Sequence, residues 1–126
     1  MYKRQGSTNA INTAGEIAVS PDGNYVYASN RTFDSIATFS VKKYGFDLDG
    51  VKPDWTWIRG ETARQFTLSP GGRYMYVGSQ NGYSITVFKV DTGTGELEYL
   101  PDQTVGVQGP FCITFASCAI ASCSAT

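Results

Sequence analysis

Short apolar runs bounded by Gly, Pro, Asn or Asp recur along the chain. The runs at 16–19, 25–29, 35–41 and 54–59 read as four antiparallel strands of one meander. Pro21-Asp22-Gly23-Asn24 falls between the first two, with Pro and Gly where tight-turn geometry favours them. A second meander reads from 65–68, 74–78, 84–90 and 96–100. Its first turn is Pro70-Gly71-Gly72-Arg73, and 91–95 turn into its last strand. The 42–53 connection is longer than a hairpin needs and is expected on an outer rim. No run approaches the ~20 apolar residues of a membrane-spanning helix.

The two meanders are copies of one another. Residues 14–41 lie over 63–90 without a gap, at a constant shift of 49 positions that brings Ser20 onto Ser69, Tyr25 onto Tyr74, Ile36 onto Ile85 and Phe39 onto Phe88. A strand-built period of roughly 40–50 residues is that of β-propeller blades. The expected fold class is therefore all-β: two four-stranded antiparallel blades, 14–60 and 62–106, and a closing strand at 109–115. Two blades cannot close a ring, because each packs its faces on neighbours and an open ring leaves strand edges unpaired. The chain thus reads as a partial propeller, 11–115, partnered by further blades of the same ring. Residues 1–10 are expected to be non-native or disordered, since Met1-Tyr2-Lys3-Arg4-Gln5 has the look of a translated sequencing adapter. Residues 116–126 form a small-residue tail.

Composition narrows the function. Ten Lys and Arg against eleven Asp and Glu give a net charge of −1, with no basic cluster. Nucleic acid is excluded as an expected partner, since its binding rests on neutralised phosphates. Residues 1–10 are polar and lack the apolar core of a signal peptide, so the expected compartment is cytoplasmic, with no membrane partner. The chain has no His, and its three cysteines, Cys112, Cys118 and Cys123, form no CxxC pair. A structural zinc site needs about four Cys or His ligands, so no metal is expected. Cys112, inside an apolar run, is expected to be a buried small hydrophobe. Without His no Ser-His-Asp or Cys-His arrangement can be built, and no phosphate-cradling or dinucleotide motif occurs. No cofactor is expected. Asn30-Arg31-Thr32 has the form of a glycosylation sequon and is read as coincidence.

The informative positions are those where the copies disagree. Glu16 meets Gln65, Gly15 meets Arg64 and Arg31 meets Gln80. In a meander the start of the first strand, the end of the second and the start of the third share one end of the sheet. Glu16, Arg31 and Arg64 are therefore expected at one mouth of the channel, with Asn30 and Gln65 beside them as candidate ligand contacts. Loops on a rigid scaffold are where ligand sites concentrate. One carboxylate and two guanidiniums suit an anionic small molecule, since Arg pairs with carboxylate or phosphate through two parallel hydrogen bonds. The carboxylate suits proton abstraction. A salt bridge between neighbouring blades is the structural alternative. Arg73, Glu96, Glu98 and the charges of the 42–53 connection read as solvated.

Ala-Gly-Glu-Ile at 14–17, Ser-Asn-Arg at 29–31, Ala-Arg-Gln-Phe at 63–66 and Pro-Phe-Cys-Ile-Thr-Phe at 110–115 together resemble the last blades of the seven-bladed lactonase family. That family includes propeller-type 6-phosphogluconolactonases and fungal carboxy-cis,cis-muconate cyclases. The resemblance covers about 14–115. It implies opening or closing of a lactone ring in an acidic substrate, with Glu16 as base and Arg31 and Arg64 as anchors. Departures are Ala63 for a usual Pro, Gln65 for a frequent His, and Thr32-Phe33 for a Gly-His pair. The family is also thought to use a His from an earlier blade. Lactone hydrolysis is the leading expectation. Cyclisation and a non-catalytic propeller that binds proteins or anions are the alternatives. The 126 residues alone are expected to lack turnover.

Overall fold

The computed structural model describes residues 13–41, 53–110 and 112–116. Among them, two antiparallel sheets are formed. The first is β1 (Ala14–Val19), β2 (Tyr25–Asn30), β3 (Ser35–Ser40) and β4 (Asp54–Trp57), paired in chain order. The second repeats that order in β5 (Ala63–Leu68), β6 (Tyr74–Ser79), β7 (Ser84–Val90) and β8 (Leu97–Tyr99). It also carries β9 (Val105–Gly106), which the sequence did not predict. A short 3-10 turn at Pro101–Gln103 reverses the chain, so that Val105 pairs with Ile85. Strand ends differ from expectation by a few residues, and the two-meander architecture is the one the repeat predicts.

The copies share their turn chemistry. Gly23 N–H donates to the Ser20 carbonyl at 2.9 Å, and Gly72 N–H donates to the Ser69 carbonyl at 2.8 Å. Both glycines have positive φ (76° and 70°), where an L side chain is strained. In the first copy Asp22 adds an Asx cap, accepting from the Ser20 hydroxyl at 2.6 Å and from the Asn24 N–H at 2.9 Å. Those two bonds, the hydroxyl first, hold its carboxyl below the ordinary value. Gly71 stands at the matching place in the second copy.

The core lies between the sheets. Strand alternation turns Tyr25 and Tyr27 of β2 and Ile36 of β3 toward Phe66, Met75, Val77 and Phe88 of the second sheet, all buried. The tyrosine hydroxyls donate across to the β7–β8 turn, Tyr25 to the Gly93 carbonyl at 2.7 Å and Tyr27 to the Gly95 carbonyl at 3.2 Å. Thr86 Oγ1 donates to the Ile58 carbonyl at 2.9 Å, a second cross-sheet bond. At the outer edge the Arg59 guanidinium lies 4.8 Å from the Trp57 ring centre and 5.1 Å from that of Tyr99, bridging β4 and β8.

Burial pushes the Tyr27 phenol up to about 12, with Tyr25 and Asp22 adding to the effect. The unfolded chain ionises this group near pH ~10, so the folded state binds more protons between those values. Stability is therefore full below about pH 10 and falls as pH rises through about 12. Alkaline unfolding followed by circular dichroism is expected to show this slope, and Tyr27→Phe to flatten it. An unchanged slope in the variant would contradict the assignment.

The terminal segment differs from a ladder strand. Residues 112–116 have no strand hydrogen bonding. They are held on the far face of the second sheet by the Gln65 side chain, which accepts from Ile113 N–H at 2.8 Å and donates to the Ile113 carbonyl at 3.3 Å. Phe115 packs edge-on to Tyr76, ring centres 5.3 Å apart. Cys112, expected to be buried, is exposed, because only one side of the segment has a sheet to pack on. The calls on 1–10, on the 42–52 part of the long connection and on Cys118 and Cys123 lie outside the described residues. Among the described residues no helix is long and apolar enough to cross a membrane.

Candidate functional site

The expected gathering begins with two inner strands. β1 lies against β5, and each carries a β-bulge near its start: between Ala14 and Ile17 in β1, and between Ala63 and Gln65 in β5. Glu16 and Arg64 are the bulge residues. An extra residue bends the strand and re-aims its side chain, which is why bulges recur at ligand sites. The repeat revealed the positions but not the bulges, because register slips carry no residue signature of their own.

Gly15 sets the distance between the strands. A Cβ there would stand 2.5 Å from the Arg64 carbonyl oxygen, 2.6 Å from that of Ala63 and 2.8 Å from Ser29 Oγ. The first two are backbone atoms that cannot rotate aside, so the crossing requires glycine. Ser29, fully buried on β2, accepts a hydrogen bond from the Glu16 N–H at 2.9 Å. Glu16 is half-buried, and its Oε1 accepts from the Ile17 N–H at 3.2 Å. Arg64 is exposed.

Arg31 follows β2 at the same end of the molecule. Its N–H donates to the Thr13 carbonyl at 2.8 Å, tying it to the residue before β1. Its Nε is buried with no hydrogen-bond partner among the described residues, a donor that gains by meeting an anion. Asn30 donates from Nδ2 to Ser35 Oγ at 3.3 Å. Gln65 uses its amide on Ile113, and its Nε2 also donates to the Phe66 carbonyl at 2.9 Å. The structure therefore brings Glu16, Arg31 and Arg64 to one end and commits Gln65 to the terminal segment.

Beside Arg31 an open cleft of about 520 Å³ runs between the sheets, lined by Thr13, Thr32, Asp34, Glu61, Thr62 and Asn81 as well as Arg31. Thr62 is its keystone. Its N–H donates to Asp34 Oδ1 at 2.8 Å, its hydroxyl accepts from Asn81 Nδ2 at 2.8 Å, and its carbonyl accepts from Arg64 N–H at 2.8 Å. Its φ of 60° is rare for a β-branched residue, and such strain is typical of ligand-shaping loops. Sequence reasoning missed this lining. The signal was available, because Asp34 meets Tyr83 and Thr32 meets Asn81 in the copy alignment, mismatches like those that selected Arg31.

Two packed four-strand meanders, with polar and charged groups at one end of their inner strands, define consecutive blades of a β-propeller. The chain matches the family described as the seven-bladed β-propeller lactonases over residues 2–115, and it belongs to that family. Over 99 residues it is 35% identical to the 6-phosphogluconolactonase of Bacillus subtilis (strain 168), covering 79% of this chain and 28% of that protein. Among solved structures it is similar to the periplasmic gluconolactonase of Pseudomonas aeruginosa, with a TM-score of 0.73 and 27% identity over 87% of this chain and 30% of that one. A protein from Lactobacillus plantarum gives a TM-score of 0.70 and 30% identity over 82% of this chain and 29% of that one. The chain thus spans under a third of the length of these relatives.

Proposed function

We propose that these two blades form one wall of the site of a lactone hydrolase acting on an anionic sugar lactone, as in a 6-phosphogluconolactonase. The observation that carries this reading is the pair of facing bulges that set an acid and a guanidinium on adjacent inner strands, beside Arg31 with its unsatisfied Nε. Arg31 and Arg64 hold the substrate's phosphate or carboxylate. Glu16 takes a proton from a water whose oxygen attacks the lactone carbonyl carbon. The ring C–O bond then breaks, and the departing alkoxide takes up a proton to give the hydroxy acid. A guanidinium near the carbonyl oxygen stabilises the charge that develops there. Asn30 contacts the ligand, and Gln65 serves the site through the terminal segment it holds.

The test is turnover of 6-phosphogluconolactone by a complete propeller carrying these two blades. Glu16→Gln is expected to lower kcat by at least about a hundredfold, and Arg31→Ala to raise KM. If both variants keep full activity, these roles fail. Turnover of carboxymuconolactone in place of the sugar lactone would establish the cyclase reading. Unchanged catalysis with loss of a protein partner would establish a binding propeller.

A further inference from the structure

The internal repeat supplies a template for an interface that the chain leaves unused. Within the chain, the Tyr25 and Tyr27 face of the first sheet packs on the Phe66 and Leu68 face of the second. At the shift of 49 positions, Ile17 and Val19 are the mates of Phe66 and Leu68, and Tyr74 and Tyr76 are the mates of Tyr25 and Tyr27. Each mate lies on the opposite, unpacked face of its sheet. Phe66 is 1% exposed whereas Ile17 is 67% and Val19 57% exposed, and Tyr74 is 39% exposed against 5% for Tyr25. The molecule therefore carries both halves of one sheet-on-sheet contact, one at each end.

We propose that these two faces dock on each other between copies, the Tyr74 face of one chain receiving the Ile17 face of the next. The contact is head-to-tail, so it propagates and closes only as a ring. Closed propellers have about four to eight blades, so about three or four two-blade copies complete one. Residues 112–116 lie over the inner part of the Tyr74 face, held by the Gln65 amide and the Phe115–Tyr76 contact without a strand ladder. The incoming β1 takes that place, as β5 does against β1 within the chain. This inference rests on the packing of the two sheets and is independent of the lactone reading.

The experiment is sedimentation and native mass spectrometry of the whole chain, with Ile17→Asp and Tyr74→Asp variants checked for native circular dichroism. Both positions are exposed, so folding is retained. Wild type is expected to associate with concentration to a defined mass about three or four times the monomer. Each variant is expected to stay monomeric. An equimolar mixture is expected to give a dimer, because each variant keeps the face that the other has lost. Three results overturn the proposal: a wild type that is monomeric at all concentrations, a mixture that stays monomeric, or particles of undefined mass. A wild type that binds only added upstream blades counts as the first of these.

Discussion

Phe66→Ala lowers the unfolding free energy by about 3–5 kcal/mol, while Ile17→Ala at the matching place in the other copy leaves it within about 0.5 kcal/mol. The two residues align at the shift of 49 and each points off its β-sheet's inner strand. They differ in what covers them. Phe66 is 1% exposed in the core with Tyr27, Val77 and Phe88, so its removal loses both transfer free energy and packing around a cavity. Ile17 is 67% exposed and has little to lose. Urea denaturation of both variants, at concentrations too low for association, gives the comparison. Equal losses at the two positions would mean that the faces are covered alike and that the sheet packing is misassigned.

Gly15→Ala carries the second large effect, a loss of about 3 kcal/mol, at the upper end for overpacking. A methyl group 2.5 Å from the Arg64 carbonyl oxygen and 2.6 Å from that of Ala63 meets backbone, not a side chain that can turn away. β1 must then withdraw from β5, and Glu16 withdraws with it. Gly71→Ala, where a Cβ meets nothing within 4 Å, is the control and is expected to be near neutral. Thermal denaturation of both variants checks the pair. A Gly15→Ala protein as stable as wild type would show that the inner strands do not touch as described.

The architecture was legible because the repeat is long and ungapped, and because Pro and Gly punctuate each meander. Antiparallel pairing then follows from the turns alone. The common location of Glu16, Arg31 and Arg64 was legible too, since strand direction fixes which ends meet. What the residues could not declare was tertiary. The bulges shift register by one residue without a marker. Thr62 adopts a left-handed backbone that its β-branched side chain argues against, held there by Asp34, Asn81 and the Arg64 N–H. Cys112 reads as core because its neighbours are apolar, yet exposure depends on a sheet that would have to lie beyond it.

The Arg59 bridge between Trp57 and Tyr99 has a mechanical consequence. Gly15 pins the two blades at the hub, and this cationic clasp fastens them at the circumference, so scissoring about either line is resisted by the other. The slot between them is held at a fixed aperture. Molecules of different girth are then told apart by which side chains line the slot, and not by how wide it opens.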